Sequence, residues 1–579
     1  AYEDALHFYT PDTAPLAYAN TQNNLGIAYS DLAQLEARDT NLRRAIAAYE
    51  DALHFYTPDT APLDYAMTQN NLGIAYSDLA QLEARDTNLR RAIAAYEDAL
   101  HFYTPDTAPL DYAMTQNNLG AAYSDLAQLE ARDTNLRRAI AAYEDALHYR
   151  TPDTAPLAYA MTQNNLGIAY RDLAQLEARD TNLRRAIAAY EDALHYRTPD
   201  TAPLAYANTQ NNLGNAYSDL AQLEARDTNL RRAIAAYEDA LHFYTPDTAP
   251  LAYANTQNNL GAAYSDLAQI EAREANLRRA IAAYSKVIEL DSEHVRSFAQ
   301  RGDTYRLLGR YEEALTDFNR AIELKPDYAW AIASRAQTYH ALDHYEQAIA
   351  DFTAAIELDS NYSWAFAQRG ETYRLLGRFD EALSDFNLAL ELQTDYAWAI
   401  SSRAQTHRAL EHYEQAIADF TTVIELNPGY AWAISSRAEI QLFQVGDPQR
   451  ALTDLESASG HLESSSDWTA YLHALCLKML GQKTEAETKL SLALELVEER
   501  LAVSDDKDES ARLQYNKALY ILMADRIEDA KAHYRQTLDN YGAKRLQDAV
   551  GDLKNFLRLF PDNEAAQEIH ALLSSQATQ

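Results

Sequence analysis

A period of 47 residues is the feature that most constrains how this chain can fold. A divergent segment, AYSKVI, at Ala283 follows six copies of AYEDAL, which begin at Ala1, Ala48, Ala95, Ala142, Ala189 and Ala236. Repeats of fixed length stack as a solenoid, in which each unit covers the apolar face of its neighbour. A chain of 579 residues also exceeds what one compact core supports. We therefore expect a solenoid.

Each 47-residue unit has the pattern of two helices. In the first full unit, apolar residues recur with helical spacing from Leu16 to Leu35, just after Pro15, which a first helical turn tolerates. The sequence Arg38-Asp39-Thr40 interrupts this pattern, and Asp39 or Thr40 can cap a second helix over about residues 41–56. No strand pattern occurs, so the sequence predicts an all-α fold. Residues 1–282 hold six such units, and because the first is incomplete we expect further sequence before residue 1.

The small residues of this unit point to a known family. The motif Leu25-Gly26-x-x-Tyr29, followed by Ala45, Tyr49 and Ala52, resembles the tetratricopeptide repeat (TPR). Gly26 and Ala45 belong where the two helices cross, since a larger side chain would push them apart. The resemblance implies a helix-turn-helix solenoid that forms a right-handed superhelix, with the first helix of each pair lining its concave face.

Two further stretches follow the long units. Residues 283–464 return to the ordinary TPR period of 34, which is marked by Gly302, Ala336, Gly370, Ala404 and Ala438. Residues 465–579 resemble degenerate TPR units that end in capping helices, over about 546–560 and 562–573. The sequence therefore predicts three stretches that differ in repeat length.

Variation among the long units is confined to a few columns. Across the first five copies only six of the 47 columns differ: Phe8 and Tyr9 become Tyr149 and Arg150, and the other four columns are Ala17/Asp64, Asn20/Met67, Ile27/Ala121/Asn215 and Ser30/Arg171. On a helix these four fall within an arc of about 140°. One hypothesis is a fixed scaffold with a tunable binding face. The alternative is neutral variation on a solvated surface.

An unchanging asparagine column accompanies the variable ones. The segment TQNNLG resembles that of kinesin light-chain-type TPRs, in which asparagines hold an extended peptide. A carboxamide both donates and accepts hydrogen bonds, so this column could grip a ligand backbone while the variable columns select side chains; the alternative is that the asparagines bond to each other or to water. The predicted partner-binding residues are Asn20, Asn23, Ile27, Met67, Asn70, Ile74, Met114, Asn117, Ala121, Met161, Asn164, Ile168, Arg171, Asn208, Asn211, Asn215, Asn255 and Asn258.

The 34-residue units add aromatic and basic columns. Tryptophan and arginine are favoured anchors at binding interfaces, and the predicted anchors are Trp330, Trp364, Trp398, Trp432, Arg306, Arg374 and Arg408. The alternative is that each tryptophan packs against the preceding unit. A second arginine column, which includes Arg301 and Arg335, is expected to form structural ion pairs. Alanines replace the key residues of the carboxylate-binding TPR cradle, so chaperone-tail binding is not predicted.

Other classes of function lack their residues. A net charge of −36 disfavours nucleic acids and anionic membranes, and no apolar run reaches the length of a membrane span. Single histidines such as His7, one per unit, cannot share a metal ion, and His473 with Cys476 lacks an orienting acid. No catalytic or nucleotide-binding motif occurs. We expect no enzyme activity, cofactor or metal.

The sequence thus predicts a non-catalytic array that binds a protein or an extended peptide. It resembles the sensor arrays of large bacterial signalling proteins, which implies a cytoplasmic recognition part attached to another domain. Two alternatives are a structural protein that assembles into filaments and a passive scaffold for a multiprotein complex.

Overall fold

The computed structural model describes residues 1–459, 466–543 and 545–577. These residues form α-helices, one π-helical turn and no strand. The chain is divided into two compact units, Ala1–Pro326 and Asp327–Gln579. The all-α prediction is confirmed.

The first compact unit consists of consecutive helix pairs. After the short α1 (Tyr2–Ala5), each first helix is followed by a second helix packed against it. The pairs are α2 (Pro15–Ala33) with α3 (Arg38–Leu53), α4 (Pro62–Ala80) with α5 (Arg85–Leu100), α6 (Pro109–Leu126) with α7 (Arg132–Leu147), α8 (Pro156–Leu173) with α9 (Arg179–Leu194), α10 (Pro203–Ala221) with α11 (Arg226–Leu241), α12 (Pro250–Leu267) with α13 (Arg273–Leu290), and α14 (Val295–Leu307) with α15 (Tyr311–Leu324).

The second compact unit is also built of successive helices. They are α16 (Ala329–Ala341), α17 (Tyr345–Leu358), α18 (Ser363–Leu375), α19 (Phe379–Leu392), α20 (Ala397–Ala409), α21 (Tyr413–Leu426), α22 (Ala431–Ile440), α23 (Pro448–Ser459), α24 (Asp467–Met479), α25 (Lys483–Val503), α26 (Lys507–Met523), α27 (Ile527–Tyr541), α28 (Leu546–Leu559) and α29 (Glu564–Ala577). A π-helical turn, Gln441–Val445, extends α22.

The second helices begin earlier than predicted, and they lack the expected cap. Ala37, with φ of 42°, precedes α3, and no side chain caps this helix. Asp39 and Thr40 lie inside its first turn, so their predicted capping role is wrong. Instead, the buried Asn41 side chain donates to the carbonyl of Glu36 and holds the turn between the helices.

Helix crossing explains the glycine column. A Cβ added at Gly26 would lie 2.5 Å from the ring of Tyr49, and the copies of this pair give nearly the same distance. Tyr49 is almost fully buried, so its ring occupies the space that glycine leaves. The packing reason inferred for this column is confirmed.

Ion pairs hold the shorter helix pairs together. The Arg301 guanidinium donates to both carboxylate oxygens of Asp317, at 2.7 and 2.8 Å. The same bidentate pairing recurs at Arg335–Asp351, Arg369–Asp385, Arg403–Asp419 and Arg437–Asp454. The structural role predicted for this arginine column is confirmed.

The three predicted stretches differ from the two compact units. The boundary at 282/283 lies inside α13, and the one at 464/465 lies outside the described residues. Division by repeat length remains a prediction about the sequence. The compact units separate instead at Pro326.

Candidate partner-binding surface

An exposed stripe runs along the first helix of each long pair. Asn20, Asn24 and Ile27 are spaced i, i+4 and i+7, which places them on one side of α2. Isoleucine is 38–39% exposed at Ile27, Ile74 and Ile168, so an apolar side chain is accessible at this position in three of the units. We call these three columns, repeated on α4, α6, α8, α10 and α12, the first-helix face.

The predicted variable columns 20 and 27 belong to this face. Column 20 holds Asn20, Met67, Met114, Met161, Asn208 and Asn255, and column 27 holds Ile27, Ile74, Ala121, Ile168, Asn215 and Ala262. All twelve side chains are at least partly exposed. Asn215 differs from the others because its carbonyl oxygen already accepts from Tyr237 and Asn259.

The asparagine column predicted to grip a ligand lies elsewhere. Asn23 is 1% exposed, and its carbonyl oxygen accepts from Thr68 and Asn71 of the next unit. Asn70, Asn117, Asn164, Asn211 and Asn258 likewise accept from the next unit, at 3.1–3.3 Å. The structure contradicts a ligand-gripping role for this column, because its acceptors are spent in joining the units. The alternative, that these asparagines satisfy each other and their neighbours, describes the geometry.

Sequence reasoning missed the adjacent asparagine column. Asn24, Asn71, Asn118, Asn165, Asn212 and Asn259 are partly exposed and lie between columns 20 and 27. Among the described residues, no donor reaches the carbonyl oxygens of Asn71 and Asn165, whose amide nitrogens bond to the buried column. Helical spacing could have predicted this column, since position 24 lies on the same side of the helix as Asn20 and Ile27, whereas position 23 lies toward the neighbouring unit.

Arg171 also leaves the predicted surface. Its Nε donates to Asp219 of the next unit at 2.6 Å, and both side chains are about 70% buried. In other copies the serine hydroxyl of this column lies 3.3–3.4 Å from a tyrosine hydroxyl of its own helix pair, so the exchange of serine for arginine adds an ion pair between units. The structure thus contradicts a ligand-binding role for Arg171.

The two adjacent variable columns that precede each first helix, represented by Phe8 and Tyr9 in the first copy, are not both exposed. Tyr56 and Tyr103 are buried, and so is Arg150, which replaces tyrosine in the fourth copy. The Arg150 guanidinium donates to Thr162, and its burial lowers the pKa of the guanidinium. Not every variable column is therefore exposed.

The tryptophans of the 34-residue units both pack and remain accessible. The rings of Trp364 and Trp432 meet the buried Phe352 and Phe420 of the preceding helices edge-on, at 6.0 and 5.6 Å. Trp398 and Trp432 nevertheless keep 38% and 40% of their surface exposed, and Trp330 is half-buried. The packing alternative thus holds in part, and an exposed portion remains for a partner.

The predicted arginine anchors are already engaged. Arg306 pairs with Asp303 at 2.7 Å and Arg374 with Glu371 at 2.6 Å, each one turn away on the same helix. Arg408 reaches Glu439 on the next first helix at 2.9 Å. These carboxylates fix the guanidinium groups and reduce the net charge that they offer a ligand.

The histidines and the cysteine considered for metal binding or catalysis occupy structural positions. His54, His101, His148, His195 and His242 are the C-terminal caps of the second helices. Burial raises the pKa of the Cys476 thiol to about 12 and lowers the pKa of His473 to about 4, which disfavours a thiolate–imidazolium pair. Within the described ranges, no three metal-ligating side chains cluster, and no helix is long and apolar enough to cross a membrane.

Family models decide what kind of repeat this is. Tetratricopeptide repeat models match residues 160–200 and 254–294 in the long units, and 331–362, 365–396 and 400–430 in the short ones. A TPR repeat model also matches residues 302–343. The chain is a tetratricopeptide repeat protein. The TPR array includes both repeat lengths, and tetratricopeptide repeats are typically non-catalytic scaffolds for protein binding.

Several solved structures resemble parts of the array. YrrB, described as a TPR protein with an unusual peptide-binding site, is 24% identical, covering 35% of this chain and 98% of its own at a TM-score of 0.29. A tetratricopeptide repeat protein from Parabacteroides merdae is 17% identical, covering 45% and 98% at a TM-score of 0.34. MamA is 21% identical, covering 29% and 97% at 0.26. A search of curated proteins found no match.

Proposed function

We propose that this TPR array is a non-catalytic binding protein that holds a protein or an extended peptide along the first-helix face. The observation that carries the proposal is the coincidence of exposure and variation. Columns 20 and 27 are two of the six columns that vary between the first five units, and they flank an invariant, accessible asparagine column. Selection for different side chains at fixed backbone contacts would produce this pattern.

The chemistry of the face suits an extended peptide. Carbonyl oxygens such as that of Asn71 can accept from a ligand's backbone N–H groups. Ile74 and Met67 beside it can bury apolar ligand side chains, at about 25 cal/mol for each Å² removed from water. The same asparagine repeats on six first helices, so a long ligand would meet one such site per unit.

The second helices of the long units carry ion pairs on their exposed side. Arg43 pairs with Glu83 of the next unit, and four further copies of this pair bridge successive units. These pairs are about half exposed and invariant, as expected of a solvated surface. The contrast supports placing the partner on the first helices.

We further propose that the array is the recognition part of a larger bacterial signalling protein. The exposed tryptophans of the 34-residue units, with their fixed arginines, would add further contacts for the partner. In that role the array would be cytoplasmic and would bind its partner transiently.

Photo-crosslinking would test the first-helix face directly. A benzoylphenylalanine placed at Ile74 should crosslink to a captured partner, whereas the same residue at Thr87, exposed on the second helix, should not. A variant with alanine throughout columns 20 and 27 should lose the partner. Equal crosslinking from both positions would refute the proposal.

A matched control comes from the chain itself. Ala275 of the sixth unit naturally replaces the threonine found in the other five, and this column lies on the second helices. Alanine at Thr40, Thr87, Thr134, Thr181 and Thr228 should therefore leave partner capture unchanged. If the column 20 and 27 variant and the threonine variant both keep the partner, the variation in columns 20 and 27 has no role in binding. Light scattering as a function of protein concentration should then test self-assembly.

A further inference from the structure

A cavity of about 750 Å³ lies within the second compact unit. Residues of α20, α22, α24, α25, α26 and α28 line it, so it is built from first helices of the short pairs and from the degenerate C-terminal repeats. Its volume is within the range of ligand sites and is large enough for a side chain with its flanking backbone. We call it the α28 pocket.

Three arginines and three carboxylates line the pocket, so the way these groups pair decides which charge is left for a ligand. Each lining arginine has a carboxylate partner: Arg408 pairs with Glu439, Arg500 with the buried Asp467, and Arg512 with Glu509. Asp548 is also neutralised, by Arg545. One lining carboxylate is left over, that of Asp552.

Asp552 lies on α28 among the pocket residues. Its carboxyl group has no hydrogen bond and no ion pair with any residue that the structure describes. Asp552 is partly exposed, and removing an unpaired carboxylate even partly from water costs free energy that a cation can recover. The pocket therefore offers a site for positive charge.

Aromatic and amide groups complete the lining. Trp432 and Trp468 lie on the pocket wall, and Trp432 is 40% exposed. A guanidinium or ammonium group near an indole face gains about 0.5–2 kcal/mol. The side-chain amides of Gln547 and Asn555 can bond to a ligand backbone.

We infer that the α28 pocket binds a cationic side chain, arginine or lysine, carried by a protein segment, with Asp552 as its counter-ion and Trp432 as its aromatic wall. The inference rests on the proposed binding function, but it places a second site, on other residues than the first-helix face. It also gives the partner a chemistry, since a basic segment complements the strongly acidic chain.

Titration of Asp552 gives the site a distinctive signature. Burial, followed by Glu439 and Asp548, raises the pKa of Asp552 to about 7, against the lowering effect of Arg408 and Arg512. Three buried tyrosines also face it, Tyr471, Tyr520 and Tyr534, and burial raises their pKa well above 10. Because the ionised carboxylate is the binding form, affinity for a cation should rise about tenfold from pH 6 to pH 8.

Calorimetric titration of the full chain would test the pocket. The probe is the peptide acetyl-Gly-Ala-Arg-Ala-Gly-amide, compared with the same peptide carrying neutral citrulline or glutamate in place of arginine. We expect the arginine peptide to bind and the other two to bind at least tenfold more weakly. The Asp552→Asn variant should lose at least tenfold in affinity at pH 8 and lose the pH dependence.

The control removes the same charge elsewhere. Asp562→Asn changes an exposed carboxylate outside the pocket, and it should bind the arginine peptide as the unaltered chain does. Thermal melting of both variants shows whether they fold, and Trp432→Phe provides a second probe of the wall. Absence of arginine-peptide binding, equal binding by Asp552→Asn, or preference for the glutamate peptide would overturn the inference.

Failure of the two proposals can be told apart. The alanine variant of columns 20 and 27 leaves the pocket intact, and should bind the arginine peptide normally. If that variant loses its partner while peptide binding fails in the unaltered chain, only the pocket inference falls.

Discussion

Single residues set how closely the helices of this array approach. The glycine column exists because a tyrosine ring fills the crossing, and the buried Asn41 column exists because the turn before the second helix exposes a carbonyl. The sequence predicts the first of these from residue size. The second depends on a backbone conformation, a left-handed alanine, that no residue type signals.

Gly120→Ala should destabilise the array. The new methyl would lie 2.7 Å from the ring of Tyr143, which is 2% exposed and cannot move freely. Overpacking of this kind costs about 1–3 kcal/mol, to be measured as a lower urea midpoint. Gly551→Ala is the control, because a Cβ there meets nothing within 4 Å and alanine favours a helix. A stable Gly120→Ala would mean that the crossing is looser than the structure shows.

In each long unit, the turn between the two helices contains a residue with a strained, left-handed backbone. The second helices start after alanines with φ of 41–43°, at Ala37, Ala84, Ala131, Ala178, Ala225 and Ala272. A left-handed backbone costs an L-residue about 1–2 kcal/mol. The same turn recurs in every long unit, so the tight connection is retained despite that cost.

Ala131→Gly should stabilise the protein. Glycine adopts the left-handed conformation freely, and after its greater entropy loss the net gain should be about 0.5 kcal/mol. A denaturation midpoint above that of the parent checks the expectation. Ala141→Gly, on the exposed middle of α7, should instead cost about 1 kcal/mol. If both changes lower the midpoint, the strain argument fails.

Across the molecule, contacts between neighbouring long units repeat as faithfully as the units themselves. Threonine bonds to the buried asparagine of the preceding unit, and Tyr76 donates to Glu50 across the same junction. Similar contacts join each later pair of long units. Stability of such an array is close to a sum over units and junctions.

Removal of one whole unit should therefore be tolerated. Deleting residues 95–141 joins Ala94 to Ala142 in the same register and restores an equivalent junction, with Arg150 in the position of Tyr103. Circular dichroism should show unchanged helix content per residue with a cooperative melt. Deleting only residues 95–118 ends inside α6 and breaks the register of the repeats. This deletion should lower both the helix content per residue and the cooperativity of the melt. Equal behaviour of the two deletions would show that register does not matter.

What the sequence determined by itself was the local and repetitive part of this protein. The 47- and 34-residue periods, the helix pairs, the small residue at the helix crossing and the ion-pairing role of the Arg301 column follow from spacing and size within one unit. Each depends on contacts between residues close in the chain, for which helical periodicity is a sufficient guide.

Only the tertiary structure decided which side chains face outward. Asn23 and Asn24 are identical and adjacent, yet the next unit buries the first and leaves the second accessible, because docking between units covers one side of the first helix. The α28 pocket joins residues 405–439 of the regular 34-residue units to residues 466–555 of the degenerate repeats. No spacing rule connects the two groups, since their proximity is set by how the degenerate helices stack on the regular ones.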